Sequence, residues 1–293
     1  MKHKIWLLPL LSLVLVACND PLPSDKFKVY TSFFVMEDFA KKIGGDYVEV
    51  TNIVPSGGEI HAYEPTTGDI VNLSQADMFI YNGAGLEHFV DHLQNTVSNP
   101  GLVYVETTSN LELLINGEEE DPHTWLSPLN AKKQMENIKN ALVGIDSDHS
   151  QYYENRYQVF ANKFNDLHEQ FITLLASGVG QYLVTGHAAF GYLTNEYELI
   201  SLPINGYDSE QEPTQQDIAN VIDIVNANDI KYVYAESLTP SDAVITVVEE
   251  TNAELAYLNT LESLTNEQKI TGEDYFSVMK DNLYSIAKGF IKL

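Results

Sequence analysis

The chain has 293 residues, with 42 acidic against 16 basic side chains and a formal net charge of −26. That balance excludes nucleic acid as a partner, because phosphates would be repelled. It concentrates cations near the surface without selecting any of them. With 44% hydrophobic residues the chain can bury a substantial core, and its length suits two domains.

The N-terminus opens with a basic Lys2-His3-Lys4, then an apolar run over 5–17 that is too short to span a bilayer comfortably. Residues 1–17 read as a lipoprotein signal peptide. Leu15-Val16-Ala17-Cys18 resembles a bacterial lipobox, in which cleavage precedes the cysteine and its sulfur takes the lipid. Residues 18–26 read as a tether that leaves a folded body at the extracytoplasmic face of the cell membrane. Cys18 is the only cysteine. Its lipidation excludes disulfides and thiolate ligands, so any metal must be held by His, Asp, Glu or water.

Strands are expected at 27–34, 47–53, 78–81 and 102–105, with helices at 35–43, 67–75 and 87–94 between them. A long helix over about 148–177 follows. Tyr153, Tyr157, Phe160, Phe164, Leu167, Phe171 and Leu174 recur there at alternating steps of four and three, a heptad-like stripe. Alternation then resumes, with strands at 182–185, 198–204, 232–235 and 254–258, and helices at 188–197, 214–228, 241–251 and 275–291. Strands alternating with helices argue for open parallel sheets. The expected fold is α/β, with an N-terminal lobe over 27–147, a bridging helix over 148–178 and a C-terminal lobe over 179–293.

Three histidines stand in well-marked segments: His61 in Gly58-Glu-Ile-His-Ala-Tyr-Glu-Pro65, His123 in Asp121-Pro-His-Thr-Trp125 and His187 in Val184-Thr-Gly-His-Ala-Ala-Phe190. Glu262 follows the last strand. Three imidazoles and a carboxylate make a donor set that tetrahedral zinc accepts. Their wide separation means that only a complete tertiary fold could bring them together. Loops at the carboxyl ends of strands are where open α/β sheets bind ligands.

Those segments, with Pro55–Pro65, Ala76–Gly83, Thr185–Tyr192, Asn259–Thr265 and Asp274–Leu283, resemble the zinc- and manganese-binding solute-binding lipoproteins of bacterial ABC importers (cluster A-I). The likeness runs from the lipobox to the C-terminus. It implies two lobes bridged by a long helix, with the metal in the cleft and its four ligand positions on His61, His123, His187 and Glu262. It also implies an ABC permease and its ATPase as partners, and a monomer that is not an enzyme. Manganese binders of this family usually carry glutamate at the third position, and His187 favours zinc, one ion per chain. Imidazole suits zinc where carboxylate-rich sets suit manganese, which is kept as the alternative.

Two departures stand out. Many zinc-binding relatives carry a histidine-rich loop where this chain has Glu118-Glu-Glu-Asp121, read as a solvated turn or as weak metal capture. Glu262 could give way to a nearby oxygen or water. His88 and His92, four apart, would share a helix face, yet the segment lacks the zinc-protease glutamate and reads as surface, as do His149 and His168. The competing class is an extracellular zinc hydrolase, with Glu64 or Glu236 as general base. A surface adhesin is a third reading.

Overall fold

A computed structural model describes residues 26–117, 119–208, 212–236 and 241–290. The signal segment, Cys18, the tether before Lys26 and Glu118 lie outside the described residues. Of residues 208–212 only Asp208 and Glu212 are described. No described helix is long and apolar enough to cross a membrane.

In the first half, β1 (Phe27–Thr31), α1 (Phe34–Gly44), β2 (Val48–Asn52), α2 (Thr67–Leu73), β3 (Met78–Tyr81), α3 (Val90–Thr96) and β4 (Val103–Glu106) alternate as expected. Their strands form one parallel sheet in the order β2-β1-β3-β4. A two-residue-strand hairpin, β5 (Ile115–Asn116) and β6 (Glu119–Glu120), follows. Next come α4 (Pro128–Ile145) and α5 (Ser150–Leu175). The second half holds β7 (Tyr182–Thr185), α6 (Gly191–Glu196), β8 (Ile200–Pro203), α7 (Gln215–Ala227), β9 (Tyr232–Glu236), α8 (Asp242–Glu249) and β10 (Glu254–Leu258). Its parallel sheet has the order β8-β7-β9-β10. Two helices, α9 (Asn266–Thr271) and α10 (Tyr275–Phe290), complete the chain.

Both sheets therefore use the same order, with the first strand between the second and the third. The chain reverses direction across the sheet there, and ligands gather outside the carboxyl ends of those strands. In the second sheet this point carries His187, just after β7, and Glu236, the last residue of β9. In the first it carries Asn82, just after β3, whose side-chain amide donates to the carbonyl of Pro122 at 2.8 Å. Both switch points thus face the histidine segments.

The long helix bridges the lobes. Near its start Tyr153 lies edge-on to Tyr47 of the first lobe, and near its end Phe171 stacks on Tyr197 of the second. Its 26 residues span about 39 Å at 1.5 Å each. The buried face differs from the expected stripe. It runs Tyr153, Tyr157, Ala161, Phe164, Leu167, Phe171, Leu175, while Leu174 is 38% exposed. A heptad slips about 20° per repeat on a straight helix, so three repeats turn Leu174 outward and Leu175 in. Helix α4 was missed in the sequence, and it is the main packing partner of α5. Its start carries a local signature: Ser127 caps it by accepting from the Asn130 N–H at 3.2 Å, and Pro128 stands in its first turn.

A continuous apolar core runs from the first sheet through α4, α5 and α10 into α6. A smaller one fills the space between the second sheet and helices α7 and α8. Phe164 is at the crossing, in contact with the rings of Phe39, Tyr275 and Phe276.

Candidate metal centre

His61, His123, His187 and Glu262 each offer one ligand atom, and these atoms all lie within 4.8 Å of one another. Oε1 of Glu262 is 3.8 Å from Nε2 of His61, 3.7 Å from that of His123 and 3.9 Å from that of His187. All four atoms are buried and have no hydrogen-bond partner. An unpaired buried polar atom costs about 1–3 kcal/mol, so four converging on one point form a set of lone pairs suited to a cation. Tetrahedral zinc with bonds of 2.0–2.1 Å sets its ligands about 3.3–3.4 Å apart. The three contacts to Glu262 need to shorten by only about half an ångström to reach that spacing.

Each side chain is aimed by its own surroundings. Asp121 accepts the His123 backbone N–H at 2.9 Å and faces its Nδ1 at 2.9 Å. Glu236 does the same for His187, at 3.1 and 3.0 Å. A proton on Nδ1 shared with a carboxylate leaves the Nε2 lone pair free for metal. The His61 loop is pinned by the Tyr63 hydroxyl, which lies 3.0 Å from the carbonyl oxygen of Ile53 and 2.9 Å from Asp69 and shares its one proton between them. It is tied to the Glu262 segment where the Gly57 N–H donates to the Ser263 hydroxyl at 2.7 Å. In that segment Leu261 takes a left-handed φ of 59°, held by its N–H donating to the Asn259 side chain at 2.7 Å. The Trp125 indole N–H donates to the Thr260 carbonyl at 2.7 Å.

Two glycines make room for the orienting carboxylates. A Cβ on Gly186 would stand 2.4 Å from a carboxylate oxygen of Glu236, and one on Gly191 would stand 2.5 Å from Oδ2 of Asp121.

Electrostatics separate the three imidazoles. Burial holds His123 well below the ordinary histidine value, helped by the neighbouring His187 and His61. Burial also pushes His187 down, but hydrogen bonding and charge from Glu236, with the charge of Glu262, leave it raised. For His61 burial is likewise outweighed by Glu262, so it too is raised. Burial pushes Glu262 up, but His61 and His187 hold it below the usual carboxylate value. Asp121 is pushed up to about 7 by burial.

The other sequence candidates divide sharply. Asp121 is buried and committed to His123, so it separates from the exposed Glu119 and Glu120 beside it. His88 and His92 do not share a helix face, because α3 begins only at Val90. His149 and His168 are not simple surface residues. The first stacks on Tyr47 and bonds Asp146, and the second meets Tyr197 and Glu196. Glu64 is exposed, while Glu236 is engaged with His187 and is not free to act as a base.

Reading the sequence for ligands missed the orienting role of Asp121, though an aspartate two residues before a histidine was a visible signal. It missed Glu59 as well. That carboxylate accepts the His61 N–H at 3.2 Å, and burial with the charge of Glu262 raises its pKa.

The chain is similar to several known proteins. The high-affinity zinc uptake system protein ZnuA of Bacillus subtilis (strain 168) is 34% identical over 274 residues, 88% of this chain and 86% of that protein. The zinc-binding lipoprotein AdcA of Streptococcus pneumoniae (strain ATCC BAA-255 / R6) is 31% identical over 97% of this chain, which spans only 60% of AdcA's length. The Zn(II)-bound ZnuA-like domain of S. pneumoniae AdcA superposes with a TM-score of 0.81 at 32% identity, covering 92% of this chain and 100% of the domain. The laminin-binding protein Lmb of Streptococcus agalactiae, described as having adhesin and metal transporting activity, gives 0.84 at 27% identity over 91% of this chain and 100% of Lmb. The family described as zinc-uptake complex component A, periplasmic (ZnuA) matches residues 29–289, and the chain belongs to it.

Proposed function

We propose that the protein binds one zinc ion per chain between its lobes, through His61, His123, His187 and Glu262, and hands it to an ABC permease and its ATPase for uptake. The observation behind this is the convergence of four buried ligand atoms without partners. Three imidazoles and one carboxylate favour zinc over manganese, whose preferred donors are oxygens. Manganese is the weaker alternative cargo. Four protein ligands close the tetrahedron and leave no position for an activated water, so the centre carries metal and performs no reaction with it. The engagement of Glu236 with His187 argues against the hydrolase reading in the same way.

The further parts of the reading rest on sequence. Cys18 carries the lipid anchor, and the chain acts as a monomer on the extracytoplasmic face of the membrane. Its lobes divide at 27–147 and 179–293 around the bridging segment 148–178, a division that the membership of the two sheets supports.

The test is metal content after competition. The full chain, stripped of metal, is equilibrated with equimolar zinc and excess manganese beside a His187→Glu variant. One retained zinc in the wild type, lost in part to manganese in the variant, is the expected result. Even competition in the wild type overturns the choice of metal, and no bound metal overturns the site.

A further inference from the structure

Glu87 is a buried carboxylate outside the four ligands. Its two oxygens accept the backbone N–H groups of Asn82, at 2.7 Å, and of Gly83, at 3.0 Å. They clasp a turn in which Gly83, Ala84 and Gly85 stand in succession at φ of 89°, 51° and 77°. An alanine resists that left-handed backbone, so the clasp is what keeps the turn in shape. Asn82 is buried as well, and both polar atoms of its side chain are engaged. Its amide nitrogen donates to the Pro122 carbonyl at 2.8 Å and to the Gly83 carbonyl at 3.0 Å, and its oxygen accepts from Gln134 at 2.8 Å. The Pro122 carbonyl belongs to the peptide that leads into His123.

We propose that Asn82, fixed in place by Glu87, is a positioning residue for His123. This rests on the zinc-binding reading above. A peptide unit is planar, so the bond to the Pro122 carbonyl orients the whole Pro122–His123 peptide and with it the direction in which the His123 side chain leaves the backbone. Asp121 then sets the rotation of the ring through Nδ1. The ligand is held at both ends, its backbone by Asn82 and its ring by Asp121. The two sheets use their switch points alike. Glu236 ends β9 and holds His187 directly, whereas Asn82 follows β3 and reaches His123 through one peptide. A carboxylate suits position 87 because it accepts two N–H groups at once, and a glutamine would turn its own NH2 toward one of them.

Zinc affinity against a competing chelator, with the visible spectrum of the cobalt(II)-loaded full chain in detergent, tests this. Asn82→Ala removes the bond to Pro122, and Glu87→Gln loosens the turn while leaving the Asn82 amide present. The control is Thr108→Val. The Thr108 hydroxyl donates to the backbone carbonyl of Asn82 at 2.8 Å, so it lies in the same buried network without touching the amide. The expected Kd is about tenfold weaker for Asn82→Ala and about threefold weaker for Glu87→Gln. The cobalt(II) bands, which follow coordination geometry, should shift in both. Thr108→Val should lower the urea midpoint and keep the wild-type Kd and bands. Wild-type Kd and bands in Asn82→Ala overturn the proposal. A control that weakens zinc binding as much as Asn82→Ala overturns it too, because the effect is then one of stability alone. If Asn82→Ala does not fold, Glu87→Gln decides on the same terms. A wild type that binds no zinc overturns the functional reading instead, and so distinguishes the two failures.

Discussion

Gly191, at the start of α6, lies against Asp121, and a Cβ there would stand 2.5 Å from Oδ2 of the carboxylate. The hydroxyl of the next residue, Tyr192, donates to the Asp121 carbonyl at 2.8 Å and accepts the Leu114 N–H at 3.0 Å. The segment after His187 thus braces the carboxylate that aims His123, so the two histidines are coupled across the lobes.

Replacing Gly191 with Ala should therefore weaken zinc binding without touching a ligand. Asp121→Asn should do the same by removing the carboxylate. Loss of such an orienting partner typically costs about 10- to 100-fold in metal affinity, and that range is expected for Asp121→Asn. Gly68→Ala, at a helical position where the added Cβ meets nothing closer than 3.4 Å, is the control. Titration against a competing chelator gives the numbers. Wild-type affinity in both site variants would refute the coupling.

Trp125→Phe should separate stability from binding. The indole is fully buried and its N–H satisfies the carbonyl of Thr260. Phenylalanine keeps most of the ring but strands that oxygen, at about 1–3 kcal/mol. Urea melts of the metal-free protein should show that loss, and the melting shift caused by zinc should shrink because Glu262 is held less firmly. An unchanged zinc-induced shift would confine Trp125 to stability alone.

Zinc competes with protons here. The raised His61 and His187 stabilise the metal-free fold fully below about pH 6.5, the reference histidine value. That contribution is lost as pH rises through their raised values. Glu262, lowered, contributes above the ordinary carboxylate value of about 4.3, and loses its effect as pH falls through its lowered one. Metal needs neutral imidazoles, and His123 already favours that form. Binding near pH 7 should release protons, and Kd should weaken by more than about tenfold between about pH 7.5 and 5.5. Calorimetry in two buffers of different ionisation enthalpy counts the protons. Identical heats in both buffers would contradict the prediction.

The bridging helix makes a packing prediction. Phe164→Ala removes a fully buried ring in contact with three others and should cost about 3–5 kcal/mol. Leu175→Ala, at a buried position, should cost about 2–5 kcal/mol. Leu174→Ala, at a half-exposed one, should cost much less. Chemical denaturation orders the three, and a Leu174 penalty as large as that of Leu175 would restore the heptad phase.

That helix also marks the limit of pattern reading. Its ends, expected near 148 and 177, fall at 150 and 175, and its existence was legible because seven large apolar residues repeat at nearly helical spacing. The phase was not, since 3.5 and 3.6 residues per turn diverge only over several repeats. Helix α4 went unseen although Ser127 and Pro128 announce its start. Its buried face includes Gln134 and Lys139, which blur the apolar pattern. The two-residue strands of the hairpin were too short to show any period.

The sequence by itself determined the alternation of strand and helix and the donor types available for metal, because those depend on local spacing and on the chemistry of single side chains. It also marked the four segments in which those donors stand. Only the tertiary structure decided that Nε2 of His61, His123 and His187 meet Oε1 of Glu262, and that Asp121 and Glu236 aim two of the rings. It also decided that Glu119 and Glu120 line the same cavity as His61 while Asp121 turns inward. These relationships join residues up to about two hundred positions apart, and their geometry is set by the packing of two sheets around one helix pair, which no local pattern encodes.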